Sequence, residues 1–206
     1  MKQIILASGS PRRHQLLKMI GLPHQVVSAD VDEDIVMDVV PADFAMHLSS
    51  IKAHEVASRT HFDLLIAADT IVVLNDEILG KPRDPFDAHQ ILRKLSGNMH
   101  EVITAVTLIN ASGDQLTFHE STHVTFEDLS DQEIEFYIQT GSPMDKAGAY
   151  GIQDDLGSLF VKRIDGDYYN VVGLPIQSFY RHLKTFSPDI AVTIISGTSA
   201  SYTSKH

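Results

Sequence analysis

The chain has 206 residues, 43% of them apolar and 21% charged, with 16 Lys and Arg against 27 Asp and Glu for a net charge of −11. The apolar share excludes a disordered chain. The acidic balance excludes a broad nucleic-acid-binding face, which would need Lys and Arg to neutralise phosphates, yet leaves room for a small anion held by a local basic cluster. With no cysteine, disulfides, thiolate metal sites and a cysteine nucleophile are excluded. No apolar run reaches the roughly 18 residues that span a bilayer, and the apolar part of MKQIILASGSPRR is too short for a signal peptide. The expectation is a soluble, cytoplasmic protein that partners neither a nucleic-acid polymer nor a membrane.

In chain order, Ile4-Ile5-Leu6 is a short buried strand. Ser8-Gly9-Ser10-Pro11 breaks it and opens a helix, with Pro in the first turn. Leu16, Leu17 and Ile20 give that helix an apolar face, and Gly21 ends it. Val26-Val27 is strand-like, and the acidic segment Asp30 to Asp34 follows. Helical spacing of Phe44, Leu48, Ile51 and Val56 predicts a helix from Pro41 to about Ser58. Leu64 to Ala68 and Ile71 to Leu74 read as two apolar strand-like runs separated by Asp69-Thr70, and Asn75-Asp76 turns the chain back into Glu77-Ile78-Leu79. A helix is expected from Asp84-Pro85 to Leu95, stopped at Gly97. Residues 101–109 and 115–126 alternate as a hairpin around Ser112-Gly113. Ser130 to Glu133 is a capping box that opens a helix through Ile138, with Gly141 as its stop. Ser142 to Gly151 is loop-like, Leu159 to Val161 strand-like, and Pro175 starts a last helix ending near Phe186. This order predicts an α/β fold with a mixed, twisted sheet flanked by helices, as two lobes around a central cleft. A single domain is expected over 1–186, followed by a flexible tail at 187–206.

Several segments carry chemistry. Ser8-Gly9-Ser10-Pro11-Arg12-Arg13 joins a strand, a small-residue turn and a helix N-terminus, where free N–H groups and the helix dipole favour an anion. Arg12 and Arg13 add bidentate phosphate donors. The same residues also describe an ordinary strand-to-helix turn. Asp69 lies between apolar runs, where an unpaired carboxylate is costly, so it needs a cation, a metal or several hydrogen bonds; an Asp capping a turn at a strand end is the plain alternative. Lys81, held in a turn between Gly80 and Pro82, and Lys52, on a helix face, each read on their own first as solvated surface lysines. The acids of Asp30 to Asp34 suit Mg²⁺ or a solvated loop. Asp145 to Gln153 combines glycines, an aromatic ring and an amide able to read a base edge, or is simply a structural loop. His119 and His123 stand four apart on a strand, a spacing that makes a metal pair only on a helix.

Together these segments resemble the Maf-like nucleotide pyrophosphatase family. The resemblance rests on Ser8 to Arg13, Asp32-Glu33, Lys52-Ala53, Ala68-Asp69-Thr70, Gly80-Lys81-Pro82, Leu95-Ser96-Gly97, Asp145 to Gln153 and Val171 to Pro175, in the family order over about residues 3 to 186. It implies hydrolysis of a nucleoside triphosphate to the monophosphate and pyrophosphate with a divalent metal, Mg²⁺ or Mn²⁺, on a fold shared with inosine triphosphatases, and a homodimer. The family branch acting on 7-methyl-GTP carries SPWR, SDQ and FKSEG where this chain has Ser10 to Arg13, Ala68 to Thr70 and Tyr150 to Gln153, so the chain resembles the dTTP/UTP branch instead. That branch implies Asp69 as proton acceptor and Arg12, Thr70 and Gln153 as specificity positions. Ala105 departs from the glycine expected there.

On this resemblance, Ser8, Arg12 and Arg13 hold the triphosphate, Lys52 and Lys81 add positive charge at the bridge or leaving group, Glu33 and Asp69 hold the metal, and Thr70 and Gln153 help read the pyrimidine. Two rivals are a phosphohydrolase of other nucleotide specificity and a nucleotide-binding regulator of septum formation.

Overall fold

The computed structural model describes residues 2–33, 35, 37–154 and 156–194. Its strands are β1 (Ile4–Ala7), β2 (Gln25–Val26), β3 (Leu64–Leu74), β4 (Glu77–Leu79), β5 (Met99–Asn110), β6 (Gln115–Phe126) and β7 (Val161–Asp165). Its helices are α1 (Pro11–Met19), α2 (Pro41–Ala57), α3 (Pro85–Leu95), α4 (Asp131–Gln139), α5 (Tyr168–Val172) and α6 (Ile176–Phe186). The seven strands form one mixed sheet in the order β2-β1-β3-β5-β6-β7, with β4 paired to β3 off that path. The expected α/β architecture with a mixed sheet and flanking helices is what the chain forms.

Two compact units emerge, each discontinuous in sequence. The first comprises the described residues within 2–69, 105–119 and 173–194, the second those within 70–104 and 120–172. In the first, β1 runs parallel to β2 and to β3, with Ile4 opposite Leu64 and Ala7 opposite Ala67. All four β1 residues are buried, as expected of a parallel strand covered on both faces, which reads as an unbroken apolar run. Side chains two apart share a sheet face. Ile5, Ala7, Leu65 and Ala67 accordingly pack with Ala53 and Val56 of α2 in one core cluster. Ala105, the departure from the expected glycine, is fully buried in β5.

The second unit is built on aromatic packing. Phe126 packs edge-on against Tyr150, His100 and Phe160, and Tyr137 against Phe160. The Asn75-Asp76 turn between β3 and β4 has positive φ at both residues (49° and 66°), the geometry that a two-residue hairpin loop requires. The capping box at Ser130 forms in full.

Three expectations are corrected, and one helix is added. The two runs around Asp69-Thr70 are one continuous strand of 11 residues, because backbone pairing along β3 does not depend on side-chain polarity at two positions. The strand expected at Leu159 to Val161 starts only at Val161, after a 3₁₀ turn over Gly157–Phe160. The added helix is α5, a segment of five residues for which no element was expected. Finally, the tail does not begin at 187: residues 188–194 are helical and bury Ile190, Ala191 and Ile194. Residues 195–206 lie outside the described residues.

Candidate active site

The end of β1 builds the first half of the site. Ser10 caps α1, its Oγ accepting from the Arg13 amide at 3.5 Å, and Pro11 occupies the first turn. The neighbouring Ser8 Oγ accepts from the Ser10 amide at 3.2 Å and from Arg13 Nη1 at 3.1 Å. Arg13 Nε donates to the Gly173 carbonyl at 2.8 Å, so its guanidinium is fixed at two edges. Burial pulls the Arg13 guanidinium below its ordinary value, as does the neighbouring Arg12, while Asp69 and Glu33 push it back up. An arginine remains charged regardless. Of the residues expected to hold an anion, Ser8 and Arg13 are thus joined by a hydrogen bond, and Arg13 is held at two points.

Asp69 lies two residues beyond Ala67, the last β3 residue paired with β1. Ligands of parallel α/β sheets bind outside the carboxyl ends of strands, and Asp69, inside β3, lies just past the carboxyl end of the neighbouring β1. By strand alternation it shares the α2-facing side with Leu65 and Ala67. Lys52 on α2, beside Ala53 and one turn before Val56, meets it: Nζ donates to Asp69 Oδ1 at 2.5 Å and pairs with Glu33 Oε1 at 2.7 Å. Lys52 and Asp69 are both buried, whereas the Glu33 side chain is 40% exposed. One buried ammonium therefore compensates two carboxylates, the condition under which a buried charge is tolerated. The alternative of a turn-capping Asp69 does not hold. Of the acidic segment, Glu33 reaches this point, Asp32 is exposed, and Asp34 lies outside the described residues.

Glu33 and Asp69 fit a hard divalent cation. Their oxygens already converge on one cationic atom, and oxygen is the donor such ions require. Among the described residues no group of three or more His, Cys, Asp or Glu gathers as a metal site. Two carboxylates with the remaining positions left to water and phosphate is the usual arrangement for Mg²⁺.

The second unit holds Thr70, Lys81 and Gln153. Thr104 donates its hydroxyl proton to the Asn170 carbonyl at 2.9 Å, so the 2.9 Å contact between Thr70 and Thr104 has Thr70 as donor. Lys81 is exposed after Gly80, whose carbonyl accepts from the Gly148 amide at 3.0 Å. Exposed Gln153 lines a pocket of about 470 Å³ with Tyr137, Thr140, Ser142, Asp154 and Leu156. Its Nε2 donates to Asp154 Oδ1 at 2.9 Å.

The family model described as Maf-like protein matches residues 3–186. This chain belongs to the Maf-like family. Among its Maf-like relatives, a dTTP/UTP pyrophosphatase of Bacillus cereus (strain ATCC 10987 / NRS 248) is 48% identical over 190 residues, 92% of this chain and 93% of that protein. A dTTP/UTP pyrophosphatase of Bacillus cytotoxicus is 48% identical over 186 residues, covering 90% and 96%. Among solved structures, the Staphylococcus aureus Ham1 protein overlaps partially, at TM-score 0.46 and 16% identity over 62% of this chain and 73% of that one.

Sequence reasoning about this Maf-like chain missed the groups that hold the named residues in place. The Gly173 carbonyl that fixes Arg13 has no side chain to notice. Tyr137, Ser142 and Asp154 line the pocket with Gln153, and Lys146 pairs with Asp154; of these only Lys146 lies within Asp145 to Gln153. No helix among the described residues is long and apolar enough to cross a membrane.

Proposed function

We propose that this protein hydrolyses dTTP and UTP to the nucleoside monophosphate and pyrophosphate. The observation that carries the reading is the Glu33–Lys52–Asp69 constellation beside the Ser8/Arg13 cradle, in a chain whose relatives at nearly half identity are named for that activity.

Phosphoryl chemistry asks a protein mainly for positioning and charge neutralisation. Arg12, Arg13 and the α1 N-terminus hold the triphosphate, and the Ser8 and Gly173 contacts keep the Arg13 fork from having to be ordered when the substrate arrives. Lys52 and Lys81 balance the charge of the bridging oxygen and the leaving group. Asp69 accepts a proton from water as its oxygen bonds to the α-phosphorus. The α–β bridging P–O bond then breaks, its electron pair leaving with pyrophosphate. A positioned base of this kind contributes about 10²–10⁴-fold. Glu33 and Asp69 would hold Mg²⁺ or Mn²⁺, which supplies Lewis acidity toward phosphate oxygens. Thr70 and Gln153 read the pyrimidine. We also take the enzyme to act in the cytoplasm and as a homodimer, the latter checked by light scattering on the purified protein.

The test is product identification with dTTP, UTP, CTP and 7-methyl-GTP. Pyrophosphate and monophosphate from dTTP and UTP are expected. Free phosphate alone would make the protein a terminal phosphatase, and a preference for 7-methyl-GTP would overturn the branch. An Asp69→Asn protein that kept full biological effect without hydrolysis would make nucleotide binding the primary role.

A further inference from the structure

Gln153 is a primary amide, and an amide that can turn over presents either its oxygen or its nitrogen to a ligand. Here its orientation is decided by Asp154. A carboxylate only accepts, so the 2.9 Å contact to Asp154 Oδ1 obliges Gln153 to give it Nε2. The carboxylate is itself held from the other side. Its Oδ2 accepts from Tyr137 Oη at 3.1 Å and from Ser142 Oγ at 2.5 Å, and pairs with Lys146 Nζ at 3.2 Å. Lys146 is buried, with Nζ also donating to the Ser142 carbonyl at 2.5 Å and pairing with Asp145 at 2.8 Å.

The Tyr137 proton is committed as well. The Gly151 amide donates to Tyr137 Oη at 3.1 Å, which leaves the phenolic hydrogen for Asp154. A Cβ added at Gly151 would lie 2.6 Å from Asp154 Oδ2 and 2.7 Å from Lys146 Cε, so the two side chains close over the space that a glycine leaves. Donation therefore runs one way, from the Gly151 amide to Tyr137 to Asp154, with Gln153 donating into the same carboxylate. With Nε2 given to Asp154, the side-chain oxygen is the group that Gln153 has to offer a ligand as an acceptor.

We propose that Asp154 is a specificity-positioning residue: it locks the Gln153 amide with its oxygen toward the base and so selects pyrimidines with an N3–H over cytosine. Uracil and thymine offer an N3–H donor between two carbonyl acceptors; cytosine offers a bare N3 acceptor beside an amino donor. A freely turning glutamine satisfies both patterns, whereas a locked one meets N3 of cytosine oxygen against nitrogen lone pair. Polar sites reject ligands that leave buried groups unpaired far more strongly than they reject a change in bulk. The inference rests on the reading that Gln153 touches the base.

The test compares kcat/KM for UTP and CTP in the wild type and in Asp154→Asn, with Asp154→Ala as a second variant and thermal unfolding to confirm that each is folded. Asparagine keeps the shape but can offer Gln153 either an acceptor or a donor. The UTP-to-CTP ratio should fall about tenfold in Asp154→Asn, the worth of one misdirected hydrogen bond. The fall should come from a higher KM for UTP and a lower one for CTP, with kcat for UTP within about threefold, since no group at the phosphates is touched. A merely structural role would weaken both nucleotides alike, and an unchanged ratio overturns the proposal, as does a wild type that does not prefer UTP. Should the wild type release no pyrophosphate from either nucleotide, the activity assignment falls while the lock is still read by calorimetry with α,β-imido analogues of UTP and CTP. Binding of the UTP analogue that is tighter in the wild type and levelled in Asp154→Asn sustains it, and equal or absent binding overturns it.

Discussion

Lys52 Nζ lies 2.5 Å from Asp69 Oδ1, and both groups are buried, with Glu33 Oε1 on the same ammonium at 2.7 Å. Removing the cation leaves a buried carboxylate unpaired, which costs about 3 kcal/mol or more. Lys52→Ala should therefore lose stability on that scale in urea unfolding, together with most of its activity. Asp69→Asn should behave differently: Lys52 keeps Glu33, stability changes by no more than about 1–2 kcal/mol, and kcat falls about 10²–10⁴-fold with the loss of the base. Equal destabilisation of the two variants would mean that the pair is structural in both directions.

Glu33 is the exposed member of the trio, and its loss should be felt in metal affinity before stability. Glu33→Gln removes one anionic donor while leaving Lys52 and Asp69 paired. The Mg²⁺ concentration for half-maximal pyrophosphate release should rise about tenfold or more, in the range that altered metal surroundings produce. The unfolding midpoint should move little, because exposed pairs contribute at most about 1 kcal/mol. Chelation by EDTA should abolish turnover in the wild type, and restored Mg²⁺ should recover it.

Arg13 tests whether a cradle needs a fork or only a charge. Its Nε and Nη1 are held by the Gly173 carbonyl and Ser8, two contacts at fixed angles that a lysine cannot make together. Arg13→Lys should raise KM for dTTP about tenfold, since a hydrogen bond to a charged group is worth about 1.5–3 kcal/mol. Ser8→Ala should raise it less, because Gly173 still holds the guanidinium.

How far the sequence leads can be judged from these residues. β1, α1 and the capping box at Ser130 were legible because apolar runs, Pro placement and Ser/Glu spacing act locally. Lys52 was legible only as a helical lysine; its meeting with Asp69 depends on α2 lying over the face of β3 that carries Leu65 and Ala67, a tertiary fact with no local signature. The break expected at Asp69-Thr70 failed for the reverse reason: polarity was read as an end of strand, when backbone pairing carries β3 through both positions and Lys52 compensates the buried carboxylate. Asp154 was hidden because a carboxylate in an exposed loop looks like solubility until its donors are seen.

Gly148 ties the loop preceding Gln153 to the Lys81 turn through its amide and the Gly80 carbonyl. Its φ is +68°, and a Cβ there would lie 2.8 Å from Val72 Cγ2 and 3.0 Å from Val72 Cβ. Gly148→Ala should cost about 2–5 kcal/mol, from left-handed backbone strain of about 1–2 kcal/mol and overpacking of about 1–3 kcal/mol. Adding Val72→Ala relieves the clash and not the strain, so the double variant should be less destabilised than the sum of the singles. Strict additivity in urea unfolding would show that Val72 does not constrain the loop.

His100 supplies a pH dependence with a definite sign. It is buried, with Nε2 2.8 Å from Tyr150 Oη and no partner for Nδ1. Burial lowers its pKa from the ordinary 6.5 to about 4. Burial likewise raises the Tyr150 hydroxyl, which keeps that group protonated and able to donate to a neutral imidazole. Between pH 6.5 and about 4 the unfolded chain binds a proton at this histidine that the folded chain refuses. Stability is thus fully present above pH 6.5 and is lost as the pH falls toward 4, by about 3 kcal/mol in all at 1.36 kcal/mol per pH unit. His100→Gln removes the titrating group, and its stability measured against pH should lose this part of the slope. Urea midpoints of the two proteins followed from pH 7.5 to 4 should diverge most at pH 7.5 and converge as the pH falls. Parallel curves across that range would show that His100 takes up its proton in the folded protein as readily as in the unfolded one.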